Sequence, residues 1–191
     1  GAGKTTLLKA IACLIPSKGE VSWDGRTLGA LSALERSGLL AYLPQGHVAH
    51  WPITARDVVA IGRAPFASSL TRLSEENREA IAEAMRATDT LQFGDRPVTE
   101  LSGGERARVM LARALAADTP IILADEPVAS LDPAHQLEVM ALLARTARRG
   151  RLVLAVIHDL TLAARFGDRV LLISEGRLRA DGLPRQVLTP A

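Results

Sequence analysis

The chain has 191 residues, of which 48% are hydrophobic and 23% are charged, a composition typical of a globular domain large enough to bury a core. The net charge of +2 and the aromatic content of 3% do not indicate a nucleic-acid-binding surface, because such surfaces combine dense positive charge with stacking side chains. The single cysteine excludes an internal disulfide, and no apolar run approaches the roughly 18 residues of a membrane-spanning helix.

The chain begins with Gly1-Ala2-Gly3-Lys4-Thr5-Thr6, which matches the last part of the phosphate-binding pattern G-x-x-x-x-G-K-[ST]. In that pattern backbone N–H groups surround phosphates, the lysine reaches the terminal phosphates, and the hydroxyl that follows it binds Mg²⁺. Apolar residues continue at helical spacing as far as Ile15, so we expect the loop to open a helix. The first glycine of the pattern would precede residue 1, and we therefore expect the chain to be a fragment. The alternative is a glycine-rich turn before an ordinary helix.

The next apolar stretch, Leu39–Leu43, predicts a strand. Gln45 follows it and leaves an amide at the strand end, where it could reach a metal ion or a reacting water. Taken alone, this glutamine is uninformative.

Two helices are predicted in the middle of the chain. Ser74-Glu75-Glu76 is a helix start. Ser102-Gly103-Gly104-Glu105 is a capping box, in which the serine hydroxyl accepts the N–H of Glu105 and the carboxylate accepts the N–H of Ser102. The second helix is therefore expected from Gly103 to Ala117. The two glycines would let a phosphate approach its N-terminus closely, which makes this turn a candidate anion site as well.

The run Ile121–Ala124 has no polar alternation and predicts a strand buried on both faces of a parallel sheet. Asp125 and Glu126 follow it directly, and ligands bind outside the carboxyl ends of such strands. We expect Asp125 to hold Mg²⁺ through water and Glu126 to polarise an attacking water. The alternative is a solvated acidic turn.

A second buried strand is predicted over Leu152–Ile157, and His158 follows it as a side chain able to hydrogen-bond a phosphate. Between the two strands we expect a proline-initiated helix over Ala134–Arg148. Near the end, Val170–Ile173 and Leu178–Ala180 flank a turn sequence and predict a β-hairpin.

Taken in chain order, these segments resemble the Walker A tail, Q-loop, signature motif, Walker B motif, D-loop and H-switch of the ABC transporter ATPases. The match covers essentially the whole chain, and the conjunction is far more specific than any one motif. The segments that carry it are Gly1–Thr6, Gln45, Leu101–Glu105, Ile121–Glu126, Ser130–Asp132 and His158.

The resemblance implies an α/β fold of the P-loop NTPase (RecA-like) type, with a parallel-sheet core and an inserted α-helical signature subdomain. Residues 1–191 would form one ABC ATPase domain. Within it, residues 1–45 and 119–191 would form the core, and residues 46–118 would form the helical subdomain.

The resemblance also implies a site for ATP and Mg²⁺. The phosphates would be bound by Gly1, Ala2, Gly3, Lys4, Thr5 and Thr6. The metal would be held by Thr5, Gln45 and Asp125. Hydrolysis of ATP to ADP and phosphate would depend on Glu126 as the catalytic base, on His158 at the γ-phosphate and on Gln45.

The implied partners are a second ATPase subunit in a head-to-tail dimer, transmembrane permease subunits and, indirectly, a substrate-binding protein; no nucleic acid is expected. The ATP held by the second subunit would be contacted by Ser102, Gly103 and Gly104, and Asp132 would lie in the loop that crosses the dimer interface. We expect a peripheral protein at the cytoplasmic face of the inner membrane. Its permease dock is predicted over Gln45–Arg63, with Trp51 either an exposed anchor or a packing residue.

Short stretches resemble the importers of iron-siderophores, haem and cobalamin, and predict uptake of such a substrate. They are Asp24–Arg26, Ala49–Thr54 and Val59–Arg63. Importers of zinc or amino acids remain an alternative, as do non-transport ABC ATPases of DNA maintenance or translation. The DNA-repair relatives carry a long coiled coil between Q-loop and signature, whereas this chain has a short gap there.

Overall fold

The computed structural model describes residues 2–46, 52–67 and 73–188. Within these ranges the helices are α1 (Lys4–Ile11), α2 (Ala33–Ser37), α3 (Ala55–Ile61), α4 (Glu75–Ala87), α5 (Gly103–Ala116), α6 (Pro133–Arg148), α7 (Leu160–Phe166) and α8 (Pro184–Val187). The strands are β1 (Ser22–Trp23), β2 (Arg26–Thr27), β3 (Leu40–Leu43), β4 (Ile121–Asp125), β5 (Leu152–Val156), β6 (Val170–Ser174) and β7 (Arg177–Gly182). Short 3₁₀ helices cover Leu28–Ala30, Ala64–Phe66, Leu91–Phe93 and Val98–Glu100.

A parallel sheet in the order β3-β4-β5 lies at the centre of the described fold. Its register aligns Leu40 with Ile121 and Ile121 with Leu152, so the three strands begin level with one another. Because they also run in the same direction, their carboxyl ends meet at one edge of the sheet. Every residue of β4 is buried, which matches its uninterrupted apolar sequence.

Helices cover both faces of this sheet. On one face Leu8 of α1 packs with Leu40 and Leu123. On the other face, Ala41 and Leu43 pack with α5 and α6. Alternate residues of each strand thus enter opposite cores, as the two-residue period of a strand requires.

A third hydrophobic cluster consists largely of helical residues. Val59 of α3, Met85 of α4 and Val109 of α5 are all fully buried in it. The capping predicted from the sequence is confirmed here: Ser74 accepts the N–H of Asn77 and begins α4, and Ser102 begins α5.

The predicted β-hairpin is confirmed. Strands β6 and β7 pair antiparallel around Glu175 and Gly176, which both have positive φ, 51° and 69°. Two left-handed residues in a two-residue loop match the right-handed twist of the flanking strands.

Two predictions from the sequence were wrong in detail. Helix α1 ends at Ile11 rather than continuing to Ile15, because Cys13 adopts a left-handed φ of 54° that ends the helical path. Strand β5 is not buried on both faces: Leu152 is 46% exposed and only Val156 in the strand is buried. The reason is its place in the described sheet, where β5 pairs with β4 alone.

Candidate functional site

The carboxyl edge of the sheet brings Glu126 and His158 together. Glu126 directly follows β4, His158 lies two residues beyond β5, and His158 Nε2 is 2.6 Å from Glu126 Oε1. Glu126 has a φ of 52°, a left-handed conformation that is unfavourable for a non-glycine residue and is found more often at functional sites than elsewhere. The arrangement places a carboxylate and an imidazole within one hydrogen bond of each other.

Asp125 is the last residue of β4 and its side chain is fully buried. A buried carboxylate requires hydrogen-bond donors, and two hydroxyls supply them. Thr5 donates from Oγ1 to Oδ1 at 3.1 Å, and Tyr42 lies with its hydroxyl 3.5 Å from Oδ2. Burial, followed by the negative charge of Asp125, raises the pKa of Tyr42. Tyr42 is therefore a hydroxyl donor at this edge.

The start of α1 lies beside this carboxylate. Gly3 precedes the helix with a φ of 86°, which favours glycine strongly, and no side chain caps the helix. The first turn contains no acidic residue, so its N–H groups and the Lys4 ammonium form an electropositive end suited to an anion. Thr6 is exposed, and Ala2 and Gly3 are partly exposed. Gly1 lies outside the described residues.

The β6–β7 turn supports the loop before α1, because Gly176 donates its N–H to the carbonyl of Ala2 at 3.2 Å. A Cβ on Gly3 would come within 3.7 Å of Gly176 Cα. Sequence reasoning missed this contact and the role of Tyr42. The tyrosine lies within the predicted strand Leu39–Leu43, one residue before its end, but its partner is 83 residues away in sequence.

The oxygen set at this edge fits a magnesium ion. The Thr5 hydroxyl and the Asp125 carboxylate are hard oxygen ligands, and Mg²⁺ is commonly bound by one or two carboxylates together with phosphates and water. Gln45 follows β3 at the same edge and is exposed. Within the described ranges, no group of three or more His, Cys, Asp or Glu side chains is placed to hold a metal.

The capping box at the start of α5 is confirmed. Glu105 donates its N–H to Ser102 Oγ at 3.2 Å, and the Glu105 carboxylate accepts the N–H of Ser102 at 2.8 Å. The hydrogen bond from the Ser102 N–H to the carboxylate is the main reason why the pKa of Glu105 lies below its usual range. Gly103 is exposed, and a Cβ on Gly104 would lie 3.5 Å from Leu131 Cδ2. This turn therefore packs beside the loop before α6.

Asp132 caps the start of α6. Its Oδ1 accepts the N–H groups of Ala134 and His135, and its Oδ2 lies 2.5 Å from His135 Nδ1. The hydrogen bond from the His135 side chain is the main reason why the pKa of Asp132 is lowered. Among the described hydrogen bonds and ion pairs, none joins Ser102 or Asp132 to the Thr5, Asp125 and Glu126 edge.

The predicted docking segment requires one correction. Arg63 is only 7% exposed, and its guanidinium donates to Asn77 Oδ1 at 2.7 Å and to the Ala116 carbonyl at 3.1 Å. It is a buried link between helices rather than a surface residue. Trp51 lies outside the described residues. No helix in the described part of the chain combines the length and the apolarity needed to cross a membrane.

Several known proteins resemble the chain over nearly all of its length. The hemin import ATP-binding protein HmuV of Nocardia farcinica is 49% identical over 190 residues, which cover 99% of this chain and 65% of that protein. The cobalamin import ATP-binding protein BtuD of Halobacterium salinarum is 45% identical, with coverages of 100% and 48%. The probable siderophore transport system ATP-binding protein YusV of Bacillus subtilis is 40% identical, with coverages of 99% and 70%. The chain thus spans less than two thirds of the Nocardia and Halobacterium proteins.

Solved structures of ATP-binding subunits share the fold of this chain. The ATP-binding cassette MJ0796, in a dimeric post-hydrolysis state bound to ADP and Pi, superposes with a TM-score of 0.83 at 30% identity, over 96% of this chain and 82% of that chain. An ATP binding subunit of an ABC transporter has the same fold, with a TM-score of 0.83 at 23% identity over 97% and 75% of the two chains. The expected P-loop NTPase fold is confirmed. The sequence model of the ABC transporter family matches residues 1–129, and the chain belongs to that family.

Proposed function

We propose that the protein is an ATP-binding and ATP-hydrolysing subunit of an ABC importer. The observation that carries the proposal is the single sheet edge at which Thr5 meets Asp125 and Glu126 meets His158. A metal-supporting carboxylate and a candidate general base stand on adjacent residues there, beside a helix N-terminus suited to phosphate.

ATP would bind with its phosphates at the start of α1. The N–H groups of the first turn point along the helix axis toward this end, and Lys4 adds a full positive charge. The phosphate-binding residues proposed are Gly1, Ala2, Gly3, Lys4, Thr5 and Thr6. Bound Mg²⁺ would neutralise charge on the transferring phosphate. Thr5 and Asp125 would hold it, with Gln45 as a third ligand.

Glu126 would accept the proton of the attacking water as that water bonds to the terminal phosphorus. The γ-phosphoryl group then leaves ADP, whose β-phosphate oxygen takes the electron pair. His158 would orient the Glu126 carboxylate through the 2.6 Å hydrogen bond and face the γ-phosphate. The side chain of Glu126 is only 16% exposed, so few bulk waters compete for its hydrogen bond with His158.

A second subunit would complete each site. Ser102, Gly103 and Gly104 lie at the N-terminus of α5, exposed or partly exposed, and are free to face a partner's nucleotide. Asp132 would lie in the loop at the same interface. The dimeric state of the cassette MJ0796 supports a dimer, and we propose that its two subunits are arranged head to tail.

Residues 1–45 and 119–191 would form the core, and residues 46–118 a helical subdomain. The cluster of α3, α4 and α5 supports this division, since most of its buried side chains come from those helices. The subdomain would dock on permease subunits at the cytoplasmic face of the inner membrane. The docking surface would include the segment from Gln45 to Ile61, whose last residue is 43% exposed.

The transported substrate would be haem, an iron-siderophore or cobalamin, delivered by a substrate-binding protein. This assignment is supported by relatives at 40–49% identity, which are named as hemin, cobalamin and siderophore import or transport proteins. The genes beside this one should then encode a permease and a substrate-binding protein of that class. Zinc or amino-acid import genes in those positions would contradict the substrate assignment.

The central test is Glu126→Gln in the full-length protein. We expect ATP binding to remain and steady-state hydrolysis to fall by roughly 10²- to 10⁴-fold, the usual contribution of a general base. Glu138→Gln, at an exposed position of α6, is the control and should hydrolyse ATP at the parent rate. Hydrolysis by Glu126→Gln within about twofold of the parent would remove Glu126 from the mechanism.

A further inference from the structure

Helix α5 contributes to two hydrophobic clusters at once. One side of it packs on the sheet beside Ala41 and Leu43 of β3, through Ala107, Leu111 and Ala114. Another side packs with α3 and α4, through Val109, Ala112 and Ala116. A rigid helix held on both sides transmits a displacement at one point to its other parts. A hydrogen bond between α5 and the sheet adds a directional contact to this packing.

Among the described residues, Arg113 makes a polar contact between α5 and the sheet. Its guanidinium donates to the backbone carbonyl of Tyr42 in β3 at 3.2 Å. Burial lowers the pKa of the Arg113 guanidinium, and its buried Nε has no hydrogen-bond partner among the described residues. A partly desolvated guanidinium with one donor unsatisfied is costly, so a contribution to stability does not by itself explain why an arginine occupies this position.

Tyr42 connects this contact to the nucleotide edge. Its carbonyl accepts from Arg113, while its hydroxyl lies 3.5 Å from Asp125 Oδ2. Strand β3 ends one residue after Tyr42, two residues before Gln45. One residue thus touches α5 through its main chain and the proposed metal-supporting carboxylate through its side chain.

The N-terminus of α5 is the turn proposed to contact the partner's ATP, so this inference rests on the proposed function. We propose that Arg113 is a positioning residue that couples the two ATP sites of the dimer. ATP bound at the chain's own sheet edge fixes the positions of Asp125 and β3. The hydrogen bond from Arg113 to β3 then holds α5 in the matching position, in which Ser102 faces the ATP of the other site. The coupling is reciprocal, because it is a free energy shared by two binding events.

Arg63 provides a matched control. It is also a buried arginine that donates to a backbone carbonyl at α5, that of Ala116. Its other contacts among the described residues are Asn77 of α4 and the ring of Phe66, 4.4 Å away. Loss of Arg63 therefore loosens α5 from the helical cluster and leaves the hydrogen bond to β3 in place.

The experiment measures equilibrium binding of a fluorescent ATP analogue to the full-length dimer in a Glu126→Gln background, which suppresses turnover. We expect a Hill coefficient near the limit of about 2 for the background protein, falling toward about 1 with Arg113→Met. The first binding event should keep its affinity. Arg113→Lys restores a cationic donor and should recover part of the cooperativity. Tyr42→Phe, which leaves the backbone carbonyl and removes the hydroxyl, should also lower the Hill coefficient.

Arg63→Met should lower the melting temperature while the Hill coefficient stays at the background value. If Arg113 only stabilised the fold, Arg113→Met would resemble Arg63→Met and would reduce the melting temperature without changing the Hill coefficient. That result would overturn the inference. A background protein that binds both nucleotides with a Hill coefficient of about 1 would also overturn it. A background protein that binds no ATP would contradict the proposed function instead, which keeps the two failures apart.

Discussion

His158 Nε2 and Glu126 Oε1 lie 2.6 Å apart, although 32 residues separate them in sequence. The parallel register of β4 and β5 explains the contact, because Asp125 is aligned with Val156 and both chains leave the sheet at the same edge. The imidazole is largely exposed and the carboxylate is not, with side-chain exposures of 62% and 16%. The histidine thus covers the solvent side of the proposed base.

His158→Ala removes the group that orients Glu126. Loss of one preorganised polar contact in an active site costs roughly 10²- to 10³-fold in turnover, and we expect that reduction in ATP hydrolysis with little change in ATP binding. Leu160→Ala, at a 59% exposed position two residues further on, should hydrolyse ATP normally. Unchanged hydrolysis by His158→Ala would show that the imidazole does not orient Glu126 for catalysis.

Ser102→Arg tests the site in trans. A bulky cation at the start of α5 should block closure of the dimer and abolish cooperative hydrolysis, whereas the mutated chain still binds ATP at its own α1. Mixing it with Lys4→Ala should leave at most one competent site per dimer. Because the substitution also removes a helix cap worth about 0.5–2 kcal/mol, Ser32→Arg is the matched control, since Ser32 forms the same capping box on α2. Hydrolysis linear in protein concentration and insensitive to Ser102→Arg would rule out the trans site.

Protonation of Glu105 should weaken the start of α5. Its pKa lies below the ordinary value of 4.5, chiefly because the carboxylate accepts the Ser102 N–H. The folded protein therefore binds this proton less readily than the unfolded chain. The stabilisation is present above pH 4.5 and is lost as the pH falls through the folded pKa.

The Glu105→Gln variant has no carboxyl group to ionise at this position. The melting temperature of the parent should exceed that of the variant at neutral pH, and the difference should shrink as the pH falls below 4.5. The pKa of Glu35 is also lowered, by its hydrogen bonds with Ser32, so Glu35→Gln should reproduce the direction of this pH dependence while leaving ATP hydrolysis unchanged. A difference between parent and Glu105→Gln that does not depend on pH would contradict the explanation.

Gly62→Ala should destabilise the contact between α3 and α5. A Cβ on Gly62 would lie 2.2 Å from the carbonyl oxygen of Arg113, a backbone atom that cannot move without shifting α5. We expect a loss of about 1–3 kcal/mol in the free energy of unfolding, the usual effect of overpacking, measured by urea denaturation. Gly29→Ala meets no atom within 4 Å and is the control. Equal stability of the two variants would show that α3 and α5 separate easily at this point.

Local signals in the sequence predicted local structure well. Helices begin after Ser74 and Ser102 because the side chains of these residues accept backbone N–H groups three positions further on. The strand over Ile121–Ala124 follows from an apolar run that suits burial on both faces. The resemblance to the ABC ATPases depended on the order of several such segments, and the family match confirmed it.

Burial was harder to predict, because it depends on neighbours that are distant in sequence. The run Leu152–Ile157 looks as apolar as Ile121–Ala124, yet β5 pairs on one side only in the described sheet. Arg63 looks like a surface residue in the sequence, but the packing of α3 against α4 and α5 encloses it.

Sequence patterns predicted several helix starts, the central strands and the family, and they proposed the candidate site residues apart from Tyr42, because capping, periodicity and motif order are short-range or ordered properties of the chain. The contacts between those residues follow only from the folded arrangement of the chain. Thr5 reaches Asp125 across 120 positions, Tyr42 reaches it across 83, and Arg113 reaches Tyr42 across 71. Such contacts arise from the register of parallel strands and the packing of helices on their faces. Neither is encoded in the spacing of any one segment, since each depends on surfaces that form only when the segments meet.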